Sequence, residues 1–492
     1  MARAPCRRSG AMSSAPHASP PSRPGRFDAG VAGVIAFAVL WLLRQHTFYK
    51  DDSHVYLMSI LEGDRTHPHH MLFKPAIVLA HRALSPLSLS LYEAALALGA
   101  AATAVGIGCA LAAARGMGLS RSRAWVVAAL VLSVPAVLFF GTVVEVHGFY
   151  FAFAGVSFLA TAALARAPTL LRGATLGFAV AVAYMGHASA ALLLGLLVPS
   201  ACFLASSPPG RWRRFVAPAL AAAATQLLAM SALPALGRAL GLGVDTADAA
   251  RYVFRDALAF AGDPWRWVST LWYEWLAPYA PLNLLAVFAL WTRLRAAAAW
   301  VLLAVAPYYL LCVCLLPSAE FGAYLTPFAW PLGLLAVRLV GARVGAGLAI
   351  VGLGGGFAWV AAHDHPELAR AYALGVQEVA EGKPPFLLLG DHTDAKAFLI
   401  ALPDAGQLVV LHAGAVSAAQ FEAVMGGLER IIRDALAAGR AVLLPAGARV
   451  LLEQVVPSGA RVAPELATRF RLVPVRAVGP GTAFEGERVE LR

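Results

Sequence analysis

Residues 91–123 read LYEAALALGAAATAVGIGCALAAARGMGLSRSR. Between Glu93 and Arg115 no charge interrupts the run of Ala, Leu, Gly and Val, and a helix of that length crosses about 30 Å of hydrocarbon. Its two ends differ in sign: an acid stands at the start, and Arg115, Arg121 and Arg123 follow the end. The sorting repeats along the chain. Short turns between apolar runs carry Arg166, Arg172, Arg211, Arg213, Arg214, Arg293, Arg295, Arg338 and Arg343 and no acid. Alternate loops carry Asp51, Asp52, Glu62, Asp64, Glu145, Asp245, Asp248, Asp256, Asp263 and Glu320, with Glu93 and Glu274 at span ends facing the same way. Before His363 only Asp28 breaks the pattern. Arginine-rich turns stay in the cytoplasm, so the chemistry of this chain is expected outside.

Composition agrees. A chain of 492 residues with 59% hydrophobic and 14% charged residues and a mean hydropathy of +0.68 is too apolar for a soluble enzyme and reads as a multi-pass membrane protein. The net charge of +11 sits in the cytoplasmic turns and the N-terminal tail, where it meets anionic headgroups. No basic stripe is interleaved with exposed aromatics, so no nucleic acid is expected as a partner. Cys6, Cys109, Cys202, Cys312 and Cys314 fall outside the large outer loops and the C-terminal region, and no disulfide framework is implied.

The expected organisation is a basic, disordered cytoplasmic tail over residues 1–27, a membrane domain over 28–362, and an extracytoplasmic α/β domain over 363–492. Spans are expected at 28–43, 91–114, 124–141, 148–165, 173–185, 188–205, 215–235, 272–291, 296–316, 323–340 and 345–362. These make about 11 transmembrane helices, an odd number that leaves the C-terminus outside. Large outer loops are expected at 44–90 and 238–272. The first contains an amphipathic stretch near Met71 to Leu84, with Lys74, His81 and Arg82 expected to face water. In the C-terminal domain strands are expected at 386–389, 407–411, 441–444, 469–475 and 488–491, and helices at 391–401, 417–438 and 448–456. No Gly-rich phosphate loop occurs.

The densest polar cluster is Lys50-Asp51-Asp52-Ser53-His54, followed by Asp64-Arg65-Thr66-His67-Pro68-His69-His70. A wet loop or a helix cap accounts for such residues without chemistry. Yet a carboxylate held against a membrane between apolar helices is desolvated and suits a general base, and Glu145, His147, His187 and Glu320 all lie toward the same side. Asp51 or Asp52 with His67, His69 and His70 also invites a metal reading, but His-Pro-His-His is not a helix-face pair. Asp391 and Asp394 read as caps of the helix that follows them.

Four segments resemble the GT-C superfamily, the polytopic glycosyltransferases that take sugar from a polyprenyl-linked carrier. They are Asp52-Ser53-His54-Val55-Tyr56, His67-Pro68-His69-His70-Met71-Leu72-Phe73, Glu145-Val146-His147 and Gly390-Asp391-His392-Thr393-Asp394. Within it the segments look most like the bacterial protein O-mannosyltransferase-like group, in which Tyr stands where this chain has His147. The resemblance implies a mainly α-helical polytopic membrane fold and an inverting hexosyltransferase of the cytoplasmic (inner) membrane. It also implies a polyprenyl-phosphate sugar donor, and an acceptor that is protein, lipid or polysaccharide. Asp52 is the implied base, with Asp51 as its substitute. His67, His69, His70, Lys74, Arg255 and Arg266 are placed to meet the donor phosphate. No metal ligand is assigned, although some superfamily members use a divalent cation. A transporter or lipid flippase and a non-catalytic scaffold are the competing readings; against transport, the charges lie at one interface and no internal repeat is visible.

Overall fold

The computed structural model describes residues 26–47, 52–61, 63, 70–205, 212–239, 262–315, 320–389, 406–409, 418–446, 449 and 462–492. Within residues 52–61 the side chains of Asp52, His54 and Val55 lie outside that description. The membrane part comprises helices α1 (Arg26–Leu42), α2 (Asp52–Leu61), α3 (Phe73–Leu84), α4 (Leu91–Gly116), α5 (Arg121–Ser133), α6 (Pro135–Phe140), α7 (Val146–Arg166), α8 (Leu170–Gly186), α9 (Leu194–Phe203) and α10 (Arg213–Ala239). It continues with α11 (Pro264–Thr270), α12 (Leu282–Ala289), α13 (Arg295–Leu315) and α14 (Ala329–His363). Among the described residues α4, α7, α13, most of α10 and the run Ala323–His363 are long and apolar enough to cross a membrane. Phe27–Leu42, Leu170–Gly186 and Leu194–Phe203 are shorter apolar helices.

Local chemistry sets the boundaries. Ser90 and Glu93 form a capping box at the start of α4: the Ser90 hydroxyl accepts the Glu93 N–H, and the Glu93 carboxylate accepts the Ser90 N–H at 2.8 Å. Glu93 is thereby a cap. The expected span 124–141 is broken at Val134, whose ψ of 120° is what a following proline imposes, and Pro135 opens α6. The span expected at 272–291 is interrupted as well: a π turn at Leu271–Leu276 precedes Pro278 and Pro281, and regular helix resumes at Leu282. The last two expected spans are continuous in α14 apart from a kink at Gly341, where φ is 79°.

Small residues let the helices approach. Along α8, Gly173 and Gly177 are one turn apart, and a Cβ on either would meet the carbonyl oxygen of Pro218 or Ala222 on α10. Gly177→Val therefore has to separate α8 from α10, and the expected loss is at least ~1–3 kcal/mol. A thermal unfolding midpoint unchanged from wild type in the same nanodiscs would contradict this packing.

The two ends of the bundle differ chemically, as the sequence sorts them. At one end the Gln45 N–H donates to Thr142 O at 2.8 Å, Tyr92 Oη donates to Gln45 O at 2.7 Å, the His46 N–H donates to Asp364 Oδ1 at 2.6 Å and Thr47 Oγ1 donates to His363 O at 2.9 Å. The start of the segment 44–90 and the exit toward the C-terminal domain thus lie together. At the other end Arg121 grips Asp28 through Nε at 2.9 Å and Nη2 at 2.6 Å. Asp28, the acid that broke the sorting, has its own arginine.

Beyond Asp364 come α15 (Pro366–Val379), α16 (Ala418–Ala437) and α17 (Val462–Arg469) with strands β1 (Pro385–Leu389), β2 (Gly406–Val409), β3 (Ala441–Pro445), β4 (Phe470–Arg476) and β5 (Glu485–Leu491). All five expected strands are present; α15 and α17 were not foreseen, and the helices expected at 391–401 and 448–456 lie outside the described residues apart from Arg449. The sheet order is β2-β1-β3-β5-β4, parallel across the first three strands and antiparallel after them. Because side chains alternate across a sheet, Leu388, Val442 and Leu444 pack under α16 and α17, while Leu387 and Leu443 join Val376 and Phe484 on the other face. That second cluster also contains Tyr56, Phe73 and Tyr92. The domain is consequently seated on α2 and α3.

Charge pairs fasten its outer helices. Glu429 on α16 has its carboxyl pKa lowered by Arg433 and then by Arg469, and Glu381 is lowered by Arg488. Glu378 is lowered chiefly by the Val478 N–H, with the Gly479 N–H adding to it. Carboxylates with depressed folded values stabilise above the unfolded value of about 4.3 and lose that contribution as pH falls through the folded value. Hydrogen exchange in α16 and α17 is therefore expected to accelerate between pH 5 and pH 3 beyond the intrinsic rate change. These pairs are solvent-exposed, so 1 M salt should blunt the effect; a flat profile would rule it out.

Candidate functional site

Glu145 joins the segment 44–90 to the bundle. It caps α7 in an extended conformation, its Oε2 accepting the Val146 N–H at 3.0 Å and its Oε1 accepting Ser53 Oγ from α2 at 2.9 Å. Asp52 directly precedes Ser53 and is the first residue of α2. Its helix is therefore pinned at the first turn onto a carboxylate that is only 6% exposed.

Beside Glu145 an imidazole stack forms. His147, in the first turn of α7, lies 4.8 Å from His187 between ring centroids, and His187 lies 4.7 Å from His70. Tyr324 presents its edge to both His147 and His187 at 5.2 Å, and Tyr150 is 5.3 Å from His187. His147 and His187 are each 3% exposed. The backbone explains how His187 arrives there: α8 ends at Gly186, His187 is extended, and its Nδ1 accepts the Ser189 N–H at 3.1 Å to start the next turn. With Nδ1 an acceptor, the neutral ring carries its proton on Nε2.

A second buried carboxylate organises the opposite wall. Glu274, 0% exposed, accepts the backbone N–H of Glu320 and, at 2.9 Å, that of Gly322. Tyr279 Oη donates to Gly322 O at 2.7 Å. Phe321 and Gly322 both have positive φ, 50° and 73°, and the Phe321 ring stacks on Trp359 with centroids 4.0 Å apart. This strained turn delivers Tyr324 to the two histidines.

The expected site residues thus separate. Glu145, His147, His187 and His70 come together, and the Glu320 segment reaches them through Tyr324. Lys74 corrects an expectation: it lies on the buried face of α3 with Phe73 and Ile77 and is 3% exposed, so it does not face water. Its neighbour Phe73 packs against Tyr56 and Phe149, which sets that face inward. Arg266 donates to the Val313 carbonyl at 2.7 Å and the Cys312 carbonyl at 3.4 Å, capping the C-terminal end of α13. Asp51, His67, His69 and Arg255, together with Asp391 and Asp394, lie outside the described residues. Among the described residues no group of three His, Cys, Asp or Glu side chains is arranged to hold a metal ion. Ser53 and Tyr324 stand in segments the sequence marked, the polar cluster at 50–54 and the aromatic stretch after Glu320, but without roles of their own; Tyr150 was not singled out, although it falls one turn after His147, a helical spacing that placed it within reach.

A buried set of imidazole, phenol and carboxylate groups at one end of a membrane bundle can donate N–H and O–H to an anion while a carboxylate nearby accepts a proton. The architecture is a polytopic membrane bundle with a small α/β domain on the site's side. Two solved structures share it. The chain is similar to ArnT from Cupriavidus metallidurans bound to undecaprenyl phosphate, with a TM-score of 0.56 and 11% identity over 94% of this chain and 98% of that one. It is similar also to the apo state of the same protein, with a TM-score of 0.52 and 12% identity over 93% and 97%. At such identities the likeness is one of fold. No family model matches the chain, and no curated protein matches it by sequence.

Proposed function

We propose that this protein is an integral-membrane glycosyltransferase that moves a sugar from a polyprenyl-phosphate-linked donor to an extracytoplasmic hydroxyl acceptor. The observation that carries the reading is the buried Glu145–His147–His187–His70–Tyr324 cluster against α2, in a fold shared end to end with a protein that binds undecaprenyl phosphate. Asp52 takes the proton of the acceptor hydroxyl as its oxygen bonds to the anomeric carbon. The bond from that carbon to the phosphate oxygen breaks, and the electron pair leaves with the lipid phosphate. A single displacement of this kind inverts the anomeric centre. Neutral imidazole N–H groups and the Tyr324 hydroxyl stabilise charge developing on the phosphate, and the sequence segments assign His67, His69, Lys74 and Arg255 to donor binding. In this reading the membrane domain is 28–362 and the site and the domain 363–492 are extracytoplasmic. The O-mannosyltransferase-like branch rests on the sequence segments alone, whereas the shared fold is that of ArnT.

The test is donor turnover by the full chain in nanodiscs, using a panel of labelled polyprenyl-phosphate sugars. Release of lipid phosphate that depends on an added acceptor supports the assignment. Folded protein that turns over no donor, yet moves a labelled lipid or solute across liposomes, would replace it with transport.

A further inference from the structure

Away from the histidine cluster, α1, α4 and α7 enclose a groove of about 680 Å³ on the outside of the bundle, a volume within the range of ligand sites. Its floor is α4, where Ala101, Ala104, Gly108, Ala112 and Gly116 recur every three to four residues toward the arginine-rich end, a length of about 22 Å at the helical rise. Missing side chains make the groove deep. Gly30 and Gly33 of α1 form one wall, and Leu159 and Ala162 of α7 form the other. Arg166, the last residue of α7, closes the end, with Nη1 3.5 Å from where a Cβ on Gly116 would stand. Asp28 is the acid at this end of the bundle, and Arg121 already neutralises it. Among the described residues Arg166 forms no ion pair, and its side chain is exposed.

We propose that this groove is a binding site for an anionic phospholipid of the leaflet on the Arg166 side, with an acyl chain along α4 and the lipid phosphate against Arg166. Charge selects the occupant. A second copy docking in the same orientation would bring two Arg166 guanidinium groups to one interface end, where like charges oppose association. The sugar carrier is excluded by distance: Arg166 is about 30 Å along α7 from Val146, and the phosphate chemistry proposed above belongs at the Val146 end. An anionic headgroup near a single interfacial arginine gains about fivefold in affinity over a zwitterionic one.

Native mass spectrometry of the detergent-purified full chain, titrated with dioleoylphosphatidylglycerol and with dioleoylphosphatidylcholine, reads this directly. Tighter binding of the phosphatidylglycerol is expected, with about a fivefold loss in Arg166→Gln and no change for phosphatidylcholine. Ala112→Leu, which fills the groove, should weaken both lipids, and matched melting temperatures would show that both variants fold. A phosphatidylglycerol preference undiminished in Arg166→Gln would overturn the site and leave only general surface charge. If Ala112→Leu altered the dimer fraction and neither lipid affinity, the groove would be an interface between copies and the proposal would fall. None of these readouts depends on transferase activity.

Discussion

Asp52→Asn is expected to lower donor turnover by about 10²–10⁴-fold, the span general-base removal usually gives, with little change in the apparent KM for the lipid donor. Asparagine keeps the size and the helix-starting preference of aspartate but cannot take a proton from the acceptor. Ser53, its neighbour, donates to Glu145 at 2.9 Å, and that bond anchors the first turn of α2. Parallel assay of Asp51→Asn assigns the base between the two. Full activity in Asp52→Asn with loss in Asp51→Asn would move the role by one residue, and full activity in both would remove the carboxylate-base mechanism.

Much of the fold was legible because the membrane imposes coarse rules. Uninterrupted apolar runs between arginines and acids can only be spanning helices, and the eleven expected spans all overlap observed helix. Breaks inside them were harder to read, since Val134, Pro278 and Pro281 interrupt helices whose apolar content is continuous. Short runs in the less apolar region after His363 marked all five strands. The candidate site was legible in part: Glu145, His147 and His187 were named from their shared side and converge, and His70, named from the polar cluster before α3, joins them. Lys74 was misplaced because amphipathic periodicity assigns a lysine to the water face by its charge, whereas Phe73 and Ile77 draw that face of α3 into the core. Tyr324 and Glu274 were underweighted for a different reason. Their importance is tertiary, arising from a turn with positive φ that hydrophobic periodicity does not report.

Glu274→Ala is expected to cost about 2–4 kcal/mol of stability and, separately, to impair catalysis. Two backbone donors, the part-buried N–H of Glu320 and the buried N–H of Gly322, lose their shared acceptor, and an unsatisfied buried donor costs about 1–3 kcal/mol. The turn they hold is already unfavourable, because Phe321 adopts φ 50° and a non-glycine residue in that region costs of order 1–3 kcal/mol. The stacking of Phe321 on Trp359 and the bond from Tyr279 to Gly322 remain in the mutant, so the bundle should still assemble. Tyr324 is the casualty. With the turn relaxed, its ring loses the 5.2 Å contacts to His147 and His187, and turnover falls even below the melting transition. Glu274→Gln discriminates between the two effects: its amide oxygen can accept one N–H while its NH2 opposes the other, giving an intermediate loss of stability. A Tyr324→Phe variant, stable but slow, would show that the phenol and not the fold carries the catalytic part. If Glu274→Ala unfolded no sooner than wild type, the buried carboxylate would not be holding the turn, and the route from Glu274 to the histidine stack would have to be abandoned.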